Sequence, residues 1–404
     1  MTPETLAQLL DAHVLARIAE IEWSPATELQ VATALRKEGH PPEVAAAMLL
    51  QAQLRREAGA KFGPFAEDML FTRDGLAQAT RLPVAAHHAR RMLSAVPGRI
   101  ADLGCGLGAD ALAFAGMDGD VEAVDADEVT AALAAWNLRH LPNVSVTHGS
   151  AEDYDLSRAQ AVWMDPARRR GTTGRGEAHR LSDPEAFSPP LSWAFSVAEE
   201  VDAVGIKLGP ALDHGLVPEG WEAQWVSHAG DVVEACLYAG AAIEEPGRNA
   251  LVLGASGAVR IHESRLPDGD EDGIGDLGEF LFEPDGAIVR AGLVTALCEP
   301  LDARRISAPI AYLTGDRLPV GAAETAVRTW KVREVLPAGL KPLRTALVKR
   351  GIGQVVIKKR GSDIVPETVR RKLRLPAGER ATLFFTRLGE DHVVILADEI
   401  PKES

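Results

Sequence analysis

From residue 99 onward the chain alternates short apolar runs with segments of about a dozen residues at helical spacing, and that rhythm leaves few architectures open. Runs at 99–103, 121–125, 144–148, 161–164 and 203–208 read as strands, with helical segments after the first, second and fourth. A helix between two strands carries the chain back to the edge it left, so such strands pair in parallel. At 222–228 and 232–238 a short turn containing Gly230 replaces the crossover helix, which predicts an antiparallel hairpin ending the sheet. Two further pieces, 250–253 and 258–262, flank Gly254 and Gly257 and extend it. The expected fold class is α/β, a nucleotide-binding sheet of the Rossmann-like kind.

At 404 residues the chain has length for two or three domains, against about 150 residues for one. Residues 1–58 read as three helices. Thr2-Pro3 and Ser24-Pro25 each set a capping side chain before a proline, and His40-Pro41-Pro42 marks the third start. A connector with Phe62, Phe65 and Phe71 follows, so residues 1–80 form an N-terminal helical cap and 81–262 the sheet domain. From Glu263 to Asp285 there are nine Asp and Glu against one Arg, which reads as a solvated linker, and 263–319 is taken as acidic linker with connecting strands, one of them at 306–314. Residues 320–404 then show a compact pattern: helix 340–350, strand 354–359, helix 366–375, strands 382–387 and 393–397.

A net charge of −15 speaks against a polyanionic partner only if it is evenly spread. Residues 321–404 carry 17 Lys and Arg against 10 Asp and Glu, whereas residues 1–320 carry 26 against 48. Between 341 and 374 the balance is 11 basic to 2 acidic, a local field that attracts phosphates unless it is only a solvated face. Three scattered cysteines without a Cys-x-x-Cys pair exclude a disulfide framework or zinc ribbon and suit a reducing interior. No apolar stretch reaches the ~18 residues of a membrane span, and the first twenty residues lack a secretion-signal pattern. We expect a cytoplasmic protein with no membrane and no metal partner. His87, His88, His179, His214 and His228 do not show ligand spacing.

Asp102-Leu103-Gly104-Cys105-Gly106-Leu107-Gly108 lies at a strand end and opens a helix. Alternate glycines let the backbone turn tightly and approach a ligand, while the helix start offers free N–H groups. The spacing is not G-x-G-x-x-G, and no Gly-Lys-Ser/Thr follows, which counts against a dinucleotide fingerprint and a P-loop. Asp125 ends the next strand, where a carboxylate can accept both hydroxyls of a ribose. Together with Gly149-Ser150-Ala151-Glu152-Asp153, these residues resemble the first three motifs of class I S-adenosylmethionine-dependent methyltransferases. The resemblance implies S-adenosyl-L-methionine as cofactor. It places the methionine part over Gly104, Gly106 and Gly108 beside Asp102, the ribose on Asp125, and the adenine amino group on Glu152 or Asp153.

Asp165-Pro166-Ala167-Arg168 stands where that family carries its fourth motif, against the methyl donor. The aromatic ring that stacks on a base in exocyclic-amine methyltransferases is missing. Uracil C5 methyltransferases show a similar Asp-Pro-x-Arg but need a cysteine nucleophile, which Ile206-Lys207-Leu208-Gly209-Pro210 lacks. Asp165, Lys207 and Glu234 fall at strand ends that converge in this fold, and ribose 2′-O-methyltransferases place Asp, Lys and Glu there with an earlier lysine, for which Lys61 is the candidate. The alternative is that Lys207 pairs structurally with a carboxylate and Glu234 caps a turn. Arg168, Arg169, Arg170 and Arg175 form an arginine loop after Asp165 that is suited to gripping substrate phosphates, or else is a charged surface segment.

The C-terminal stretches Val356-Ile357-Lys358-Lys359-Arg360-Gly361, Pro366 to Leu373 with Arg370 and Arg371, and Thr382 to Arg387 resemble the THUMP-like domain found behind bacterial class I methyltransferases. THUMP domains deliver RNA to modifying enzymes, so the resemblance implies RNA as substrate class, with Lys358, Lys359, Arg360, Arg370 and Arg371 as contacts. The expectation is therefore an RNA methyltransferase. Its alternatives are a protein or small-molecule methyltransferase, and a non-catalytic RNA-binding protein retaining the cofactor site.

Overall fold

The computed structural model describes residues 1–168, 184–255, 257–267 and 273–401. They divide into two compact units: Met1–Leu208, Asp213–Glu222 and Cys236–Pro246 in the first, and Gly209–Leu212, Ala223–Ala235 and Gly247–Ser404 in the second. Residues 223–235 and 247–262, expected with the sheet domain, thus group with the C-terminal part.

The first unit opens with α1 (Pro3–Leu9), α2 (Ala12–Ala19), α3 (Glu28–Lys37) and α4 (Pro42–Phe62), four helices rather than three. Thr2 caps α1 as expected, accepting from the Thr5 N–H. The first expected helix is cut because Asp11 accepts from the N–H groups of His13 and Val14 and starts α2. Ser24 and Thr27 each accept the other's backbone N–H, which holds a turn and delays α3 to Glu28. Leu9, Val14, Ile18, Leu35, Val44 and Met48 close a core among these helices. Two of the connector's three phenylalanines are interior: α4 runs on to Phe62, whose ring meets Phe71 at 5.7 Å, and both side chains are fully buried, while Phe65 is exposed.

After α5 (Arg73–Gln78) and α6 (Leu82–Ala95) come strands β1 (Arg99–Leu103), β2 (Asp120–Asp125), β3 (Val144–His148), β4 (Ala161–Met164) and β5 (Ala203–Leu208). Their order is β3-β2-β1-β4-β5, all parallel, with α7 (Ala109–Gly116) and α8 (Glu128–Leu138) as the first two crossovers. Strand β4 is buried at all four positions and β5 at all six, as a sheet covered on both faces requires. Strands β6 (Glu222–His228) and β7 (Asp231–Gly240) follow, and it is β7 that neighbours β5. The hairpin therefore folds back, so that its second strand lies on the inside.

In the second unit β8 (Gly247–Gly254) pairs antiparallel with β9 (Gly257–His262). A seven-stranded sheet then runs in the order β11-β12-β10-β13-β16-β15-β14, built from β10 (Phe280–Pro284), β11 (Ala303–Arg305), β12 (Leu313–Gly315), β13 (Val327–Pro337), β14 (Ile352–Lys359), β15 (Glu379–Leu388) and β16 (Asp391–Ile400). Helices Leu340–Lys349 and Pro366–Leu373 cover it through Leu343, Leu347, Val369 and Leu373. Three expectations fail here. The acidic stretch holds β10, with Leu281 and Phe282 fully buried, so a continuous apolar run outweighs the surrounding charge. Of the strand expected at 306–314, only Leu313 and Thr314 are strand, at the start of β12, while 306–312 form the turn that joins β11 to it. Strand β13 was not foreseen. Among the described residues no helix is long and apolar enough to cross a membrane.

Candidate active site

The registers of β1 with β2 and with β4 set Leu103, Val124 and Met164 level, so Gly104, Asp125 and Asp165 emerge together at one edge of the sheet. They line a cavity of about 850 Å³ with Asp102, Gly106, Asp110, Lys207, Thr80 and the start of α8. The glycine turn is held from behind, because Gly104 and Cys105 donate to the Val124 carbonyl at 2.8 and 3.0 Å. Gly104, Gly106 and Gly108 have φ of +86°, +57° and +84°, a region that only glycine occupies without strain. A Cβ on Gly104 would meet the Asp165 carbonyl oxygen at 3.2 Å, whereas Gly106 has open space beside it. Gly108 is the N-cap of α7.

Asp125 accepts one backbone N–H on each oxygen, from Gly106 at 2.9 Å and from Asp127 at 3.0 Å. Each oxygen keeps a second lone pair for a hydroxyl donor. Burial pushes this carboxyl above its usual value despite those bonds. Asp102 is more extreme: it is buried, its Oδ2 has no hydrogen-bond partner, and burial together with the charges of Asp110 and Asp165 pushes it well up. An unmatched buried acceptor on a residue that lines the cavity calls for a donor, and a positive one best. The ammonium of S-adenosylmethionine is such a donor and its ribose diol matches Asp125, so the residues present fit the cofactor.

On the cavity wall Lys207 bonds Asp165 Oδ2 at 2.6 Å and donates to Thr80 Oγ1 at 2.9 Å. Thr80 donates to Asp110 Oδ2 at 2.8 Å, and His88 Nδ1 lies 2.8 Å from Asp110 Oδ1. Burial would raise Asp110, but the His88 hydrogen bond and the charges of His88 and Lys207 outweigh it and hold the carboxyl below its usual value. Thr80, His88 and Asp110 escaped the sequence reading. Of the three, only Asp110, an acid in the first turn after the glycines, carried a signal.

The remaining expected residues are placed as follows. Glu152 and Asp153 sit on a single turn with Glu152 bonded to Ser150, and neither lines the cavity. Glu234 does not line it either. Lys61 donates to the carbonyls of Leu76, Ala77 and Ala79 at 2.7 to 2.8 Å, so its three N–H bonds finish α5 and the four-residue ribose-methylating set is not assembled. Arg169, Arg170 and Arg175 lie outside the described residues, and of Arg168 only the backbone, in the two-residue strand Ala167–Arg168, is described. Cys105 lines the cavity, but burial and then the charges of Asp102 and Asp125 push its thiol well up, away from the thiolate a nucleophile needs. In the second unit Lys358 pairs with Glu283 and lies 4.5 Å from the Trp330 ring centre, while Arg360 lies over Tyr312 at 5.1 Å. Lys359, Arg370 and Arg371 are exposed.

The chain is similar to known proteins at three levels. Residues 327–399 match the family described as THUMP domain-like, and residues 3–58 match a domain of unknown function. An uncharacterised S-adenosylmethionine-dependent methyltransferase of Mycobacterium tuberculosis is 32% identical over 345 residues, 83% of this chain and 91% of the relative. A crystal structure described as that of a candidate methyltransferase from Porphyromonas gingivalis W83 superposes with a TM-score of 0.74 over 97% of this chain and all of its own, at 19% identity, a likeness of fold.

Proposed function

The chain belongs to the S-adenosylmethionine-dependent methyltransferases, and we propose that its acceptor is RNA. The observation that carries the acceptor is the basic face of the second unit. On the helix Pro366–Leu373, Arg370, Arg371 and Lys372 are exposed, Arg374 follows at its end, and no carboxylate partner of theirs is found among the described residues. Four unneutralised cations on the stretch that matches a THUMP-like domain suit a phosphate backbone, where each contact releases counterions. Lys359 adds to the same chemistry, while Lys358 and Arg360 are engaged with Glu283.

The bound cofactor supplies a methyl group already activated by its sulfonium. The chain's own residues have three tasks in this reading. Asp102 and the glycine turn hold the amino-acid end, and Asp125 holds the ribose. Asp165, at the end of β4 and fixed by Lys207, faces the acceptor atom and orients the proton it carries. In-line alignment of acceptor and methyl carbon accounts for most of the acceleration.

Incubating the full chain with tritiated S-adenosylmethionine and total RNA from a strain lacking the gene tests this reading. Label is expected in RNA. Label in protein or small molecules instead would overturn the RNA assignment, and label nowhere would favour a non-catalytic RNA-binding role.

A further inference from the structure

We propose that Thr80 is a positioning residue: a one-way chain of buried hydrogen bonds from His88 through Asp110 and Thr80 aims the Lys207 ammonium at Asp165. This rests on the reading that Asp165 faces the acceptor. The direction of the chain follows from the donors available. A carboxylate only accepts, so the 2.8 Å contact to Asp110 Oδ1 puts a proton on His88 Nδ1. The Thr80 hydroxyl has a single proton and gives it to Asp110 Oδ2 at 2.8 Å. Toward Lys207 it therefore presents only lone pairs, and at 2.9 Å it takes one N–H of the ammonium. A second N–H points to Asp165 Oδ2 at 2.6 Å.

The far end is fixed as well. His88 is 1% exposed, its ring stacks on Trp163 at 4.4 Å, and its Nε2 lies 3.7 Å from Cys236 Sγ. The four participants come from separate places, the loop before α6, α6 itself, α7 and β5, and all belong to the first unit. Thr80, Asp110 and Lys207 are buried, and a hydrogen bond among them is electrostatically stronger than one in bulk water. Without the hydroxyl, Lys207 keeps its charge but loses the acceptor that sets the direction of its other N–H bonds.

The test uses the full chain with 15N-labelled lysine. The hydrogen-bonded ammonium of Lys207 is expected as a slowly exchanging Nζ signal, assigned by its loss in Lys207→Arg. Thr80→Val and, in parallel, the smaller Thr80→Ala should shift or abolish that signal, and Thr80→Ser should restore it. Turnover on total RNA should fall by on the order of tenfold to a hundredfold in Thr80→Val and recover in Thr80→Ser. Affinity for S-adenosylhomocysteine should stay within about threefold throughout. A Lys207 signal unmoved in Thr80→Val or Thr80→Ala, or not restored by serine, overturns the proposal. If the wild type leaves RNA unlabelled, the RNA reading falls while the nitrogen signal still decides this one.

Discussion

Replacing Asp102 by asparagine should move stability and cofactor affinity in opposite directions. The residue is buried, its Oδ2 lacks a partner, and burial with the neighbouring charges of Asp110 and Asp165 pushes its carboxyl well above the ordinary value. An amide cannot ionise, and each tenfold by which the folded site favours the protonated carboxyl costs about 1.4 kcal/mol at neutral pH, so Asp102→Asn is expected to stabilise the ligand-free protein there by roughly 1–2 kcal/mol. For a unit of this size that corresponds to a rise of roughly 2–8 °C in melting temperature. The sign with pH follows from linkage. A raised carboxyl holds its proton more tightly folded than unfolded, so its cost is absent below about pH 4, where both states are protonated. The cost then grows with pH until the folded group ionises. Variant and wild type should thus converge in acid and separate at neutral pH. In the occupied site the same carboxylate makes a charge-assisted bond worth about 1.5–3 kcal/mol, so affinity for S-adenosylhomocysteine should fall by about ten- to a hundredfold. Scanning calorimetry across pH, with and without that ligand, reads both effects. A ligand-free variant that melts below the wild type at neutral pH, or equal ligand-induced shifts in the two proteins, would refute the reasoning.

Gly104→Ala forces an L-residue to φ +86° with its Cβ 3.2 Å from the Asp165 carbonyl, so a stability loss of about 1–3 kcal/mol in urea and weaker cofactor binding are expected. Leu281→Ala should cost about 2–5 kcal/mol in the same measurement, because Leu281 is fully buried on β10, whereas in a solvated linker it would be neutral. Charge reversal of exposed Arg370 and Arg371 together should leave the melting temperature unchanged. It should also flatten the slope of log affinity for single-stranded RNA against log salt by roughly 1.5, and an unchanged slope would remove these residues from the interface.

What could be read from the sequence was what local chemistry dictates. Strands β4 and β5 showed as short apolar runs because a strand covered on both faces has few polar positions, and the glycines before α7 showed because only they tolerate that turn. Strand β13 stayed hidden for the opposite reason: exposed Arg328 and Lys331 interrupt its buried Val327 and Trp330, so its composition reads as basic surface. The same holds for β10, four buried residues inside an acidic run. At the site, the glycine turn with Asp102 and Asp125 could be picked out at strand ends, Asp165 and Lys207 through the resemblance, and all of them line one cavity. Thr80 and His88 were not. They meet Asp110 and Lys207 only through tertiary packing across up to 127 positions, which leaves no pattern along the chain. The same holds for Lys61, whose ammonium is spent on the carbonyls after Leu76, because the order of motifs along the chain does not decide which carbonyl a side chain reaches.

Isothermal titration of the intact chain with S-adenosylhomocysteine puts the central claim to the most direct trial. A single site per chain is expected, weakened in Asp102→Asn and in Gly104→Ala. No heat from folded wild-type protein, or the same heat from all three, would contradict a cofactor pocket beneath the glycine turn.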